Sequence, residues 1–409
     1  MRKASYSFAA LLGLISVAPA MAFAVDAGRQ VGSRACAALS DRVGDRVDHA
    51  PLLLRSYDNA KGSGEPDEPA LRTAAFSYDN ALAVIALLAC DERAKAQRVG
   101  DALRIAIVED SRLRNTYRAG VVGQNVLLNG WWDAKENRWA EDSYQAGSAT
   151  GNVAWTALAM LALHDATGDG RWLDAATKLG EWVVATTADS RGAGGFNGGI
   201  GGFDAAPQRL LWKATEHNID LAAVFAWLDC LQPGHGWNAH ATKARHFVQS
   251  QWQAGTGHFL VGTLPDGVTS NRQTSGLDVQ LWPLLLRDPD PAWRRAIDYA
   301  EREHGVAGGF DFNSDRDGLW LEGTAQAALV YCSLGRDREA DALLETMAGQ
   351  FAPGGFVYAT REPRITTGLA LSSASASADF YYFHRPHLAA TAWAALAARG
   401  RNPFRAPGH

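Results

Sequence analysis

Several kinds of chemistry are missing from this chain. Its 409 residues hold four cysteines, Cys36, Cys90, Cys230 and Cys332, none in a CxxC or CxxH pair, which leaves no basis for a cysteine-ligated metal. There is no HExxH pair and no GxSxG elbow, which excludes a zincin helix and an α/β-hydrolase serine. Positive charge is not in excess: 39 Lys and Arg face 44 Asp and Glu, a net charge of −5, so nucleic acid is not an expected partner. Sustained alternation of apolar and polar residues, the mark of strands, is almost absent. Beyond the N-terminus no segment reaches the roughly 18 uninterrupted apolar residues of a membrane span.

What is present starts with a short basic opening, Met1-Arg2-Lys3, an apolar stretch from Phe8 to Ala18, and small residues at Ala22 and Ala24. That order reads as a secretory signal peptide over residues 1–24, leaving 25–409 as one domain, secreted or periplasmic, with no membrane span after cleavage. Export permits disulfides. Four cysteines allow three pairings, which the sequence leaves open; Cys36 is a candidate partner for Cys90.

Apolar residues then recur at helical spacing in pairs of segments separated by glycine-rich loops. One set is hydrophobic nearly all round: Tyr78–Cys90, Thr150–His164, Glu216–Cys230, Leu277–Leu286, Leu321–Cys332 and Pro386–Ala398. Such helices must be surrounded by protein. A second set is charged on one face: Asp26–Val47, Glu92–Glu109, Asp169–Thr186, Asn238–Gln253, Pro291–Glu303 and Asp337–Gln350. Starts of the apolar set fall 44 to 72 residues apart, room for one helical hairpin and a loop each. No hairpin can bury its apolar face alone, so neighbours must do so. The expected fold is all-α, a single-domain (α/α)6 toroid of six inner and six outer helices. Gly194-Gly195-Phe196, Gly308-Gly309-Phe310 and Gly354-Gly355-Phe356 each lie between an outer and an inner helix, where each Phe is placed to plug a barrel end. The stretch from Arg112 to Gly147 is irregular, with pieces suited to a hairpin over a cleft.

In such a ring the inner N-termini meet at one rim, where helix dipoles favour anionic side chains. The polar residues gather there: Tyr78, Asp79 and Asn80; Asp142 with Tyr144; Glu216, His217 and Asn218; Asp278; Trp320 with Glu322; and His384, Arg385 and His387. Caps alone do not explain the accompanying Trp, Tyr and His. Paired carboxylates in a cleft lined with rings are what glycosidic-bond cleavage requires: one carboxyl donates a proton to the leaving oxygen, another activates water or attacks carbon. Glu216 is the expected acid, since it opens an apolar helix with Asp220 one turn further on. Asp79 is the first choice for the base and Asp142 the second. Tyr78, Tyr144, Trp282, Trp320, Tyr381 and Tyr382 are candidate sugar platforms, with Asn80, His217, Asn218, Asp278, Glu322, His384, Arg385 and His387 as polar contacts.

Other motifs weigh less. Asp311, Asn313 and Asp315, with Glu322 at the twelfth position, have the spacing of an EF-hand loop, but Arg316 stands where that loop needs glycine. His384 and His387 are read as donors to substrate rather than metal ligands. No metal and no cofactor is expected. Gly199-Ile200-Gly201-Gly202 follows no buried strand and is no nucleotide fingerprint. Ser372-Ser373-Ala374-Ser375 reads as a small-residue loop.

The six hairpins, the GGF loops, and the segments TEHNIDLAAVF (215–225), WLEGTAQAAL (320–329) and HRPHLAATAWAAL (384–396) resemble the six-hairpin glycosidase superfamily over nearly the whole chain after the leader. The resemblance implies a glycan-processing protein with acidic catalytic groups near the inner-helix N-termini; the superfamily also holds lyases and epimerases, so fold is implied more firmly than reaction. The leading expectation is a glycoside hydrolase acting as a monomer on a polysaccharide or oligosaccharide, a β-glucan being one candidate. A polysaccharide lyase and a non-catalytic glycan-binding protein of an export system are the alternatives.

Overall fold

A computed structural model describes residues 18–44, 49–60, 64–109, 112–370 and 380–406. Most of the expected leader, residues 1–17, and the Ser372–Ser375 loop lie outside the described residues. Among those described are thirteen α-helices: α1 (Ala18–Val43), α2 (Ser77–Ala89), α3 (Arg93–Glu109), α4 (Ser143–Ala146), α5 (Thr150–Thr167), α6 (Gly170–Thr187), α7 (Thr215–Leu231), α8 (Trp237–Gln251), α9 (Asp278–Leu281), α10 (Arg295–Glu303), α11 (Leu321–Ser333), α12 (Asp337–Ala348) and α13 (Leu388–Ala398). The strands are two or three residues long and pair into small sheets in the loops. No helix among the described residues is long and apolar enough to cross a membrane.

The two helix sets behave as their patterns require. Every residue of α13 from Leu388 to Ala397 is buried, and α5 buries all of Thr150–Leu163 except Asn152. The charged α6 buries only Trp172, Ala175, Ala176, Leu179, Gly180, Val183 and Thr187, a stripe at three- and four-residue spacing. Contacts run from α2 to α5, to α7, to α9, to α11, to α13 and back to α2. Each apolar helix also carries a charged partner: α3 on α2, α6 on α5, α8 on α7, α10 on α9, α12 on α11 and α1 on α13. Cys36 of α1 and Cys90, which caps α2, form a disulfide, while Cys230 and Cys332 are free and exposed near the C-terminal ends of α7 and α11.

One expected inner helix is much shorter than its apolar run. The segment Leu277–Leu286 forms only the four residues of α9 before passing into a 3-10 turn over Trp282–Leu285. Pro283 is the cause, since it lacks an N–H and its ring obstructs continuation of an α-helix. The stretch from 112 to 147 does contain a hairpin, with Trp131–Asp133 pairing Arg138–Ala140.

A repeated clasp fixes the start of the apolar helices. The fourth residue of α2, α7, α11 and α13 accepts an amide proton from the incoming segment: Asn80 from Leu54, Asn218 from Phe196, Thr324 from Phe310, and Thr391 from Val357. Gln280 in α9 does the same for Phe259. The GGF phenylalanines Phe196, Phe310 and Phe356 are buried. Gly195 turns into its clasp at φ 90°, and a Cβ there would lie 2.9 Å from Asn218 Oδ1, so the motif tolerates only glycine. Asn80 and Asn218, expected to meet substrate, are therefore scaffold. Each amide also donates to two carbonyls, Asn80 to Leu54 and Phe76, Asn218 to Phe196 and Ala214, and no N–H is left over for a ligand.

Candidate active site

A cleft of about 130 Å³ opens at the N-terminal ends of the apolar helices. Its polar wall comes from α7 and α9 on one side and from α2 and α11 on the other. On the first side stand Glu216, His217, Asp220 and Asp278; on the second, Tyr78 and Glu322. Rings fill the remainder: Tyr144, Trp155, Trp282, Phe312, Trp320, Phe380 and Tyr382. Trp155 sits among them, its ring 5.4 Å from Tyr78, 5.4 Å from Trp282 and 5.6 Å from Trp393. The indole N–H groups of Trp155, Trp282 and Trp320 are buried with no protein acceptor.

The α7/α9 side carries acid without cation. Burial pushes the Glu216 carboxyl well above its ordinary range, and the negative charges of Asp278, Asp220 and Glu322 push the same way. Its side chain keeps 32 % of its surface open to the cleft. Asp278 is fully lined by protein and is also raised, by burial first. The two carboxyls act on each other directly, the Asp278 charge adding to the rise at Glu216. Asp220, one turn below Glu216, is raised by burial and by Asp278, and its Oδ1 is buried without a donor. His217 offers no compensation. Burial lowers its pKa to about 4, so the ring is neutral although Nε2 lies 3.4 Å from Glu216 Oε1. Gly151 makes room for that ring, since a Cβ there would fall 2.4 Å from His217 Cδ2.

The opposite side is a paired network. Glu322 Oε1 accepts from Tyr78 Oη at 2.6 Å, and Trp393 Nε1 donates to the same hydroxyl at 3.1 Å. His387 lies between two carboxylates, Nε2 at 3.5 Å from Asp79 Oδ2 and Nδ1 at 3.8 Å from Glu322 Oε2. Burial works against a charged His387, but Asp79 and Glu322 outweigh it and its pKa is raised. Burial lifts Glu322 to about 7, opposed by His387 and by the Tyr78 hydrogen bond. The Tyr57 ring packs 4.9 Å from His387 and closes the network from behind.

Of the residues expected from sequence, Glu216, Tyr78, Tyr144, His217, Asp278, Trp282, Trp320, Glu322 and Tyr382 line the cleft. Asp79 and His387 stand one layer behind Glu322. Asp142 does not face the cleft: its side chain accepts from the Gln145 amide at 2.9 Å and caps α4. Tyr381 lies under Arg364, 4.7 Å from its guanidinium carbon. His384 stacks on Tyr358 at 4.0 Å, and its Nδ1 is 2.7 Å from the Thr360 carbonyl. With Arg385 it lines a separate surface pocket beside Asp67 and Glu68. The chain turns away there because it bends at His384 and Arg385 after the strand Tyr381–Phe383, and α13 begins only at Leu388. Sequence reasoning did not assign Asp220, Trp155, Asn152, Phe312 or Phe380 to the cleft. The four-residue step from Glu216 to Asp220 was a usable signal; Trp155 was indistinguishable from core in an all-apolar helix.

No family model matches the sequence, and no curated protein matches it. Solved structures do. A glycosidase in complex with glucose aligns over 92 % of this chain and 98 % of its own, at 12 % identity and a TM-score of 0.63. A cellobiose 2-epimerase from Spirochaeta thermophila aligns over 93 % and 98 %, at 14 % identity and a TM-score of 0.60. A protein described as a novel alpha-amylase from Clostridium perfringens aligns over 80 % and 86 %, at 7 % identity and a TM-score of 0.52. At these identities the likeness is one of fold, and the resemblance to the six-hairpin glycosidase superfamily holds at that level.

Proposed function

We propose that this protein is a carbohydrate-active enzyme that hydrolyses a glycosidic bond, with Glu216 as general acid and Glu322 as the second carboxylate. The observation that carries the reading is the trio Glu216, Asp220 and Asp278 on one cleft wall with no cation among them, Glu216 at the open edge with its carboxyl raised by burial and by its neighbours' charge. A protonated Glu216 donates to the leaving oxygen, and Asp278 stabilises the proton before transfer. Glu322 faces the cleft from α11 and acts on water or on the sugar carbon. It replaces Asp79 as the base, because Asp79 reaches the cleft only through His387. Asp79 and His387 instead position Glu322. Trp155, Trp282 and Trp320 present faces for sugar rings and unused N–H donors for hydroxyls.

The fold supports the reading. We infer that the cyclic contacts of the apolar helices and their charged partners form the (α/α)6 toroid, one domain over residues 25–409. We also infer export behind a leader at 1–24, which the Cys36–Cys90 disulfide favours. The substrate is an oligosaccharide or polysaccharide, with β-glucans first in a panel. The test is product analysis across that panel. Hydrolysis releases reducing ends without an unsaturated sugar, and abolition by Glu216→Gln ties the activity to this cleft; an unsaturated product, or the same rate in the variant, contradicts it.

One observation favours a second reading, proton abstraction next to a carbonyl, as in an epimerase or lyase. His217 is buried, neutral and in the cleft, and its Nδ1 has no partner, a state suited to a general base. Exchange of a substrate C–H for deuterium, lost in His217→Asn, would establish this reading over hydrolysis.

A further inference from the structure

The loop that leads into α11 holds an acidic cluster apart from the catalytic carboxylates. Oxygens of Asp311, Asp315 and Asp317 lie within 4.8 Å of one another. None of the three forms a salt bridge among the described residues. Asp311 is fully buried: its Oδ1 accepts from the Phe312 amide at 2.7 Å, while Oδ2 is buried with no donor. Burying a carboxylate oxygen with no donor beside two further carboxylates is costly unless a cation is shared among them.

We propose that Asp311, Asp315 and Asp317 bind one calcium ion. Oxygens that share a calcium ion stand up to about 4.6–5.2 Å apart, twice the ligand distance of roughly 2.3–2.6 Å, and the three side chains already stand within that spacing. All donors are carboxylate oxygens, the hard ligands calcium takes. The ligand set is not that of an EF-hand. Asn313 Oδ1 is occupied by the Asp315 amide at 2.7 Å, and Glu322 is in the cleft. The loop nevertheless makes the turn that glycine makes in that motif, with Arg316 at φ 55°.

The ion would act on the cleft by holding its wall. Asp317 Oδ2 accepts from the Thr366 amide at 3.0 Å, and Asp315 Oδ2 accepts from the Thr366 hydroxyl, so the cluster joins the loop to the strand Arg364–Thr366. Phe312, next to Asp311, lines the cleft with its ring 4.9 Å from Trp320. Calcium thus fixes the segment that carries Phe312, without touching substrate.

The experiment is calorimetric titration of the chelator-treated full chain with calcium chloride, repeated with magnesium chloride, alongside melting curves. Wild type should take up one calcium per chain with a Kd of about 1 mM or tighter, the range of extracellular calcium modules, and melt at higher temperature with calcium present. Asp315→Asn and Asp317→Asn, exposed positions whose change leaves the core intact, should each weaken binding at least about tenfold and lose the thermal shift. No saturable calcium binding, equal binding by both variants, or a response to magnesium as strong as to calcium would overturn the proposal.

Discussion

The two sides of the cleft share burial, helix N-termini and carboxylates, yet they are built on opposite electrostatic plans. Across α2, α11 and the approach to α13, every carboxylate has a partner: Asp79 and Glu322 flank His387, and Tyr78 donates to Glu322. Across α7 and α9, Glu216, Asp220 and Asp278 face one another and a histidine held neutral, with no cation beside them. Burial raises carboxyl pKa values on both sides; the charges nearby decide by how much. Glu322, partnered, settles near neutrality and can serve as a base, whereas Glu216, among carboxyls with no cation, is raised well above its ordinary range and can serve as an acid. The comparison teaches that a cation one layer back is enough to divide equivalent helix starts into different roles.

The largest expected effect breaks the acid side. Glu216→Gln preserves shape and removes the donor, and kcat should fall by about 10²–10⁴-fold with the fold unchanged by circular dichroism. Glu322→Gln should lower kcat to a similar extent, and the pH profile separates the two roles. In wild type, activity should rise as pH increases through about 7, where Glu322 loses its proton. It should fall again at higher pH as Glu216 loses its own. A profile lacking the rise near neutrality would mean that Glu322 is not the base.

Stability should divide the same two sides. Asp79→Asn leaves His387 and Glu322 buried without their third partner, and removing one member of a buried ionic network costs about 3–5 kcal/mol; urea unfolding near pH 7 measures it. Asp220→Asn should do the reverse. The folded pKa of Asp220 is raised, so protonation favours the fold at low pH and that contribution is lost as pH rises. The neutral amide avoids the loss, and the variant should be more stable than wild type at pH 8 by about 1 kcal/mol, with the difference closing toward pH 4. If both variants are equally destabilised at pH 8, the two sides do not differ as described.

Much of this was legible in the sequence because it follows from periodicity. All-round apolar segments against one-sided ones separated the apolar helices from their charged partners; Leu277–Leu286 was overextended, where Pro283 outweighs hydrophobicity, and Pro291–Glu303 by its first four residues, a 3-10 turn. The rim was legible too, since a helix start fixes where its first residues lie; Glu216, Asp278, Glu322 and Tyr78 were found in this way. Side-chain direction was not. Asn80 and Asn218 stand beside cleft residues in sequence yet face the incoming loops, and Asp142 is used up by the Gln145 amide. His384 and His387 are three residues apart across a bend in the chain, so one reaches the surface and the other the carboxylates. The pairing that sets Glu322 apart from Glu216 joins Asp79, Glu322 and His387 from distant parts of the chain, and no local pattern announces it.

The central claim is that the α7/α9 side holds a proton at neutral pH, and infrared difference spectroscopy of the carboxyl stretch tests it without a substrate. Wild type at pH 7 should show a protonated carboxyl band that shifts in deuterium oxide and disappears as pH is raised, and Glu216→Gln should weaken or displace that band while Asp79→Asn leaves it in place. A spectrum in which no carboxyl is protonated at pH 7, or one unchanged by Glu216→Gln, would contradict the account.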